Sequence, residues 1–142
     1  MGLVEGFTNI EFETIFQLIL AIALGGLIGF ERELKHRPAG LRTHMLVCLG
    51  ATIFTIVSLS FDIDPARIAA GIVAGIGFLG AGNIIAQKGH IQGITSAAIL
   101  WVVAGIGLSV GVGQYIIAII SALLVFAILQ LRKIEKKNDI NG

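Results

Sequence analysis

The sequence predicts an all-α integral membrane protein with five transmembrane helices, its N-terminus outside and its C-terminus in the cytoplasm. Three observations lead to this fold class: the composition, the spacing of the apolar stretches and the placement of the basic residues. Of the 142 residues, 56% are hydrophobic and 13% are charged, whereas a soluble domain usually carries about 25% charged residues. One soluble core cannot bury this much apolar surface, so we expect lipid to be part of the solvent.

Five apolar stretches, separated by short polar segments, are the predicted helices. They cover residues 12–30, 43–61, 68–86, 94–112 and 114–131. Each holds about 18–19 residues and rises about 28 Å, close to the thickness of the hydrocarbon layer. We expect the helices and their connections to form one transmembrane domain over residues 1–131, packed tightly through glycines and followed by a short basic cytoplasmic tail at residues 132–142.

Local signals mark where some of these helices begin. Thr8 and Glu11 have the spacing of a capping box before helix 1. Asp64 followed by Pro65 is a favourable N-cap and N1 pair for helix 3. The very short turn around Gly113 predicts that helices 4 and 5 are antiparallel neighbours.

The basic residues fall almost entirely on one side of the predicted membrane. The first connection, the third connection with Lys88, and the tail together carry every Lys and Arg except Arg67. The acidic residues of the other side are Glu5, Glu11, Glu13, Asp62 and Asp64. Because cytoplasmic segments carry an excess of Lys and Arg, the basic side is predicted to be cytoplasmic.

Most of the 19 glycines lie inside the predicted helices. In membranes, small residues spaced four apart let helix backbones approach closely. The glycines that we expect to pack helices together are Gly25, Gly29, Gly71, Gly75, Gly77, Gly80, Gly107 and Gly111. The same stripes could join two copies in a homodimer, and both uses stay open at this point.

No acidic or basic residue falls near the middle of a predicted helix. Ion-coupled transporters commonly place an ionisable group at that depth, and Mg²⁺ prefers carboxylate and water oxygens. The residues themselves therefore do not support a dedicated Mg²⁺ path. The three histidines lack metal-ligand spacing, so we expect neither a metal nor another cofactor. A net charge of only +1 argues against nucleic-acid binding.

The first connection is the densest polar segment. We predict that Glu31, Arg32 and Arg42 form one cytoplasmic polar cluster that links helices 1 and 2. One interpretation is that the polar residues of this connection form an ion-pair network or hold an anionic group, since guanidinium offers a planar fork of donors. These residues are Glu31, Arg32, His36, Arg37, Arg42 and His44. The simpler interpretation is topogenic charge in contact with anionic lipid headgroups.

Two further groups of polar residues lie near helix ends. Asp64 and Arg67 are three apart, which the simpler interpretation assigns to an N-cap and an i,i+3 pair. Four polar residues surround the inner ends of helices 3 and 4, either as a polar clasp or as part of a small cytoplasmic-facing pocket: Asn83, Gln87, Thr95 and Ser96. Trp101 is predicted to face inward, because its indole N–H needs a partner.

Four strings in this order resemble the MgtC/SapB family: GFERE, AGLRTHMLVCLGA, DPARIAAGIVAGIGFLGAGNI and GITSAAILWVVAGIGLSVGVGQY. The resemblance covers roughly residues 25–131 and looks like a short form that lacks a C-terminal soluble domain. The matched polar positions are Glu31, Arg32, Arg42, Thr43, Asp64, Arg67, Thr95 and Trp101.

The resemblance implies a multi-pass protein of the bacterial inner membrane, linked to magnesium limitation or stress adaptation. It favours a non-enzymatic regulator that acts on other membrane complexes, of which the ATP synthase is the implied example. The alternative is a transporter or channel for Mg²⁺ or another small ion. The expected partners are thus the lipid bilayer and such a membrane complex. A second copy of the chain is a further partner if the glycine stripes form a homodimer.

Overall fold

Five helices and one short hairpin make up the computed structural model, which describes residues 2–61, 64–87 and 90–138, with the side chains of residues 12–61, 64, 66–84 and 91–131. The elements in chain order are α1 (Gly2–Leu34), α2 (Leu41–Leu59), α3 (Pro65–Gly82), β1 (Ile85–Gln87), β2 (His90–Gln92), α4 (Ile94–Gly111) and α5 (Tyr115–Asn138). Five predicted helices are therefore confirmed within the described residues. Asp62 and Lys88 lie outside them, as do the side chains of Glu5, Glu11 and the basic tail.

Three helices are long and apolar enough to cross a membrane: Phe12–Leu34, Leu41–Leu59 and Ile94–Gly111. The apolar parts of α3 and α5, Ala66–Gly82 and Tyr115–Leu131, are shorter. Large apolar side chains are exposed on the outside of the helices, for example Phe12, Phe78 and Ile116. Exposure of so much apolar surface is unfavourable in water but favourable in the hydrocarbon layer of a membrane. The chain is a membrane protein.

Helix α1 begins at Gly2 rather than near residue 12. Thr8 therefore lies inside the helix and does not cap it, so the predicted capping box is wrong. No proline interrupts residues 2–11, and the helix continues through them.

Helix α3 ends at Gly82, four residues before the predicted end. Strands β1 and β2 then pair antiparallel, with Ile85 opposite Gln92. The glycines of the last turn weaken the helix, and Asn83 takes the C-cap position. Gly93 has φ +93°, and a Cβ there would overlap the carbonyl oxygen of Asn83, so only glycine lets the chain turn into α4 beside the end of α3.

Helix α2 lies between α1 and α4, and its Cys48 touches both neighbours. A Cβ at Gly25 of α1 would lie 2.6 Å from the His44 carbonyl oxygen and 2.9 Å from Cys48 Cβ. A Cβ at Gly107 of α4 would overlap the Cys48 carbonyl oxygen. On the same side, Thr52 Oγ1 donates a hydrogen bond to the Gly107 carbonyl oxygen at 2.8 Å. Glycine at these two positions allows backbone contact between the three helices.

Helix α5 packs on α1 and α4 through small side chains. Ala118 and Ala122 are fully buried in the same apolar cluster as Ile28 and Val103. Their spacing of four places them on one face of α5. The opposite face carries exposed residues such as Ile116, as expected for a helix that meets lipid on one side.

Two contacts at the end of the bundle where α4 turns into α5 fix α1 there. Gln17 Nε2 donates hydrogen bonds to the carbonyl oxygens of Val110 at 3.0 Å and Gly111 at 3.3 Å. The Tyr115 hydroxyl donates to Glu13 Oε1 at 3.0 Å. Helix α1 therefore runs antiparallel to α4, and its other end meets the beginning of α4.

Candidate functional site at the basic end of the bundle

Buried charges gather at the end of the bundle where α1 ends and α2 and α4 begin, which we call the basic end. Glu31 and Arg32 are only 6% and 5% exposed, and charges are seldom buried this far without partners. Glu31 forms an i,i+4 ion pair with Lys35. Arg32 Nη2 donates a hydrogen bond to Ser96 Oγ at 2.8 Å. These contacts join the end of α1 to the residue that follows it and to the first turn of α4.

The connection from α1 to α2 is folded tightly against the helix ends. Glu33 Oε2 accepts a hydrogen bond from the backbone N–H of Leu41 at 2.9 Å, which satisfies one free amide at the start of α2. His44 is fully buried, and its Nδ1 lies 2.8 Å from the Gly40 carbonyl oxygen. A carbonyl can only accept, so Nδ1 is the donor. The start of α2 is thereby held against α1.

A cavity of about 790 Å³, the basic cavity, opens at this end. The α1–α2 connection, strand β2, the first turn of α4 and α5 all contribute to its wall. Its lining residues are Arg32, Lys35, Arg37, Pro38, Ile91, Gln92, Gly93, Ile94, Thr95, Ser96, Ile128, Leu129 and Leu131. Three of these are cationic and none is acidic. A pocket near Thr95 was one of two alternatives left open by the sequence, and the cavity found there is built by α1, β2, α4 and α5 rather than by α3.

Arg42 stands apart from this cluster. Its side chain is exposed and, among the described residues, has neither a hydrogen bond nor an ion pair. The structure thus brings Glu31 and Arg32 side by side at the end of α1, but it does not bring Arg42 to them. The reason is geometric, because Arg42 lies on the outer face of the first turn of α2 while buried His44 faces the bundle.

A second opening, the interhelical groove, runs between α2 and α3 and measures about 770 Å³. Thr43 and Arg67 lie among its lining residues, near the first turns of the two helices. The rest of its lining is Leu46, Val47, Gly50, Ala51, Phe54, Ile68, Gly71, Ile72, Gly75, Ile76, Leu79 and Ala104. The groove is therefore apolar along most of the membrane depth.

The eight predicted packing glycines divide into two sets. One set of five meets other helices: an added Cβ would be too close at Gly25, Gly29, Gly107 and Gly111, and in ordinary contact with Ala97 at Gly80. A Cβ at Gly71, Gly75 or Gly77 would meet no heavy atom of the described structure within 4 Å. These three do not pack helices within the described part of the chain, where α3 meets α4 at Gly80 and the groove lies between α3 and α2.

Asp64 occupies the predicted N-cap position of α3 without capping it by its side chain. Its backbone is left-handed, with φ 45°, and its carboxylate forms no cap hydrogen bond. No ion pair joins the side chains of Asp64 and Arg67, both of which are described. Their contact is a backbone hydrogen bond from Arg67 N–H to the Asp64 carbonyl oxygen at 3.1 Å.

The inward orientation predicted for Trp101 is wrong. Its side chain is 54% exposed and lies on the outer surface of α4, beside Val73 and Ser121. Helix α4 is apolar on every face, so its pattern does not reveal which side is buried. Asn83 is also outside the basic cavity, and its Nδ2 is buried without a hydrogen-bond partner in the described residues.

Two residues of the network were not singled out as site residues from the sequence, Lys35 and Gln17, whereas Ser96 was named with Thr95 but not paired with Arg32. Lys35 follows Glu31 by one helical turn, a spacing that could have indicated the pair. Gln17 is a lone amide within the apolar part of α1 and could have been recognised as a residue that needs a buried partner. The hydrogen bond between Arg32 and Ser96 spans 64 positions, and no local pattern signals it.

The fold and this site define a helical membrane protein in which the buried charges of the described residues, Glu31 and Arg32, lie at one end of the bundle. Residues 18–137 match the MgtC family, and the chain belongs to this family. It is 43% identical over 129 residues to the "Putative magnesium transporter YhiD" of Escherichia coli (strain K12), a match that covers 84% of this chain and 60% of that protein.

Two proteins named MgtC are similar to this chain to a comparable degree. That of Salmonella typhimurium (strain LT2) is 46% identical over 115 residues, covering 80% of this chain and 50% of its own length. That of Brucella abortus (strain 2308) is 46% identical over 110 residues, covering 76% and 46%. The chain thus spans about half to three-fifths of the length of these relatives. No solved structure matches it.

Proposed function

We propose that this chain is a multi-pass protein of the bacterial inner membrane that regulates another membrane complex during magnesium limitation, without catalysing a reaction itself. Membership of the MgtC family and the membrane helices support this magnesium-related role. We further propose that the basic end lies in the cytoplasm and the N-terminus outside. The cations Arg32, Lys35, Arg37 and Arg42 at one end support this orientation.

The observation that carries the regulatory role is the interhelical groove. A Cβ added at Gly50, Gly71 or Gly75 would meet no heavy atom of the described structure within 4 Å. A glycine inside a helix costs about 1 kcal/mol relative to alanine and gains nothing from contact with lipid. Small residues on a membrane helix do let a second helix approach to backbone distance. The groove therefore suits a transmembrane helix of a partner protein.

The packing of the core favours a docking surface over an ion path. At mid-depth, Cys48 is held between Gly25 and Gly107, where the backbones of three helices meet. Thr52 Oγ1 donates to the Cys48 carbonyl oxygen at 3.0 Å as well as to that of Gly107, so this hydroxyl is engaged within the core. Along the described parts of the helices, the acidic and basic side chains stay near the ends.

The ATP synthase is the partner that we propose, following the family resemblance. The tagged chain should be purified in mild detergent from cells grown at low magnesium and probed for ATP synthase subunits. We expect the parent chain to retain them and Gly75→Leu to lose them, because the leucine fills the groove. Gly105→Leu is the matched control, since Gly105 also faces open space but lies outside the groove.

Equal retention or equal loss of the ATP synthase by these two variants would show that the groove is not the docking surface. Both variants should have the thermal unfolding of the parent chain, because neither position is packed within the chain. A shift in melting for Gly75→Leu alone would instead indicate a role in folding.

The second candidate function is Mg²⁺ transport, favoured by the printed name of the Escherichia coli relative. The purified chain in sealed vesicles that contain a Mg²⁺-sensitive dye discriminates between the two functions. We expect Mg²⁺ entry no faster than in protein-free vesicles. Saturable Mg²⁺ entry that requires the protein would replace the regulatory proposal with a transport one.

A further inference from the structure

Three cationic side chains line the basic cavity: Arg32, Lys35 and Arg37. Lys35 is paired with Glu31, and Arg32 lines the cavity while 5% exposed. Arg37 also lines it, and its Nε is buried without a hydrogen-bond partner in the described structure. None of the lining residues that the structure describes is acidic. The half-buried Arg37 side chain has no acidic partner among the described residues, and an anionic group in the cavity would neutralise its charge.

The first turn of α4 adds further donors to the same wall. Gly93 is the N-cap of α4, and no side chain caps this end. Ile94, Thr95 and Ser96, the first three residues of the helix, all line the cavity. The first backbone N–H groups of a helix lack partners within it, and the helix dipole favours negative charge there. A helix start of this kind is a frequent binding position for phosphate.

The size of the cavity and its division into a cationic and an apolar side suit a molecule with one anionic and one less polar part. Its volume of about 790 Å³ falls within the range of small-molecule sites. The cations and the α4 start form one side, whereas Ile128, Leu129 and Leu131 of α5 form an apolar side. An oxyanion can therefore meet the cations while a less polar part of the same molecule contacts α5.

We propose that the basic cavity binds a phosphate group, held by Arg37, Arg32 and the first turn of α4. The phosphate can belong to a soluble phosphate compound or to the headgroup of an anionic lipid, since the chemistry that binds it is the same. Arginine suits this role because its planar fork matches two phosphate oxygens. The site lies away from the interhelical groove and does not depend on the partner proposed for that groove.

The test uses the purified full chain in nanodiscs and two kinds of probe. In the soluble arm, inorganic phosphate and ATP are titrated into nanodiscs of neutral lipid. In the lipid arm, native mass spectrometry compares how much phosphatidylglycerol and how much phosphatidylcholine stay bound to the protein. We expect saturable binding in one arm and about a tenfold loss with Arg37→Gln, the effect of removing one charge-assisted hydrogen bond. The arm that responds identifies the source of the phosphate.

Arg42→Gln is the matched control, because Arg42 carries the same charge in the same region but is exposed and does not line the cavity. Its binding should stay within about twofold of the parent chain. Thr95→Val, which removes a lining hydroxyl, is the second variant and should weaken binding about threefold. No saturable binding in either arm would overturn the proposal. Equal losses for Arg37→Gln and Arg42→Gln would also overturn it, because they would indicate attraction by net charge alone.

Discussion

The guanidinium of Arg32 donates a hydrogen bond to the hydroxyl of Ser96 at 2.8 Å, joining the end of α1 to the first turn of α4. Both residues are buried, with 5% and 2% of their surface exposed. The bond couples the two helices at the basic end, as Gln17 does at the opposite end through the carbonyl oxygens of Val110 and Gly111.

The first prediction concerns the stability that this bond provides. Ser96→Ala should lower the free energy of unfolding by about 1–2 kcal/mol, because it removes a buried acceptor from a charged donor. Thr95→Ala is the control, since its exposed hydroxyl makes no hydrogen bond in the described structure, and it should change stability by less than about 0.5 kcal/mol. Unfolding by denaturing detergent measures both. Equal stability of the two variants would mean that the bond contributes nothing.

The second prediction concerns Arg32 itself. Arg32→Lys should reduce growth at low magnesium, because lysine keeps the charge but lacks the planar fork of the guanidinium. Arg42→Lys should grow like the parent chain, since Arg42 is exposed. Protein level in the membrane should be matched before growth is compared. Normal growth of Arg32→Lys would confine the basic end to a topogenic role.

The third prediction tests helix packing. Gly107→Ala should lower the free energy of unfolding by about 1–3 kcal/mol, as overpacking does, because its Cβ would overlap the Cys48 carbonyl oxygen. Gly105→Ala, two positions away and facing open space, should be neutral or slightly stabilising, since alanine favours the helix. Thermal melts in detergent compare the pair. If Gly107→Ala has the same melting temperature as the parent chain, the account of the α2–α4 contact is wrong.

The fourth prediction is the orientation in the membrane. The only cysteine, Cys48, is buried, so Cys48→Ala gives a background for labelling. In that background, Gln114→Cys should react with an impermeant maleimide in intact cells. Arg42→Cys should react only after the membrane is permeabilised, because it lies at the basic end. The reverse pattern would contradict the proposed orientation.

The sequence predicts the helices well because lipid requires long apolar segments, and these are visible in the chain itself. Helix α4 was predicted at residues 94–112 and is found at Ile94–Gly111. The end of α3 was harder to predict, because residues 83–86 are apolar enough to continue a helix. Strand pairing instead satisfies the backbone there, and Ile85 lies opposite Gln92.

Which face of each helix is buried could not be predicted in the same way. Gly71 and Gly75 have the same spacing as Gly107 and Gly111, yet only the second pair packs against another helix of this chain. In a membrane helix both lipid-facing and buried faces are apolar, so hydrophobic periodicity is weak. The inward orientation predicted for Trp101 was wrong for the same reason, and its side chain is exposed. The contact between Arg32 and Ser96 depends on tertiary structure alone.

The central claim is that the chain acts by binding another membrane protein in the groove between α2 and α3. Photo-crosslinking in cells at low magnesium tests it most directly, with benzoylphenylalanine placed at Phe54 or at Phe78. Both side chains are exposed, but only Phe54 lines the groove. We predict that Phe54→benzoylphenylalanine cross-links to an ATP synthase subunit and that Phe78→benzoylphenylalanine does not. Cross-links from Phe54 only to lipid or to a second copy of this chain, or equal cross-links from both positions, would contradict the claim.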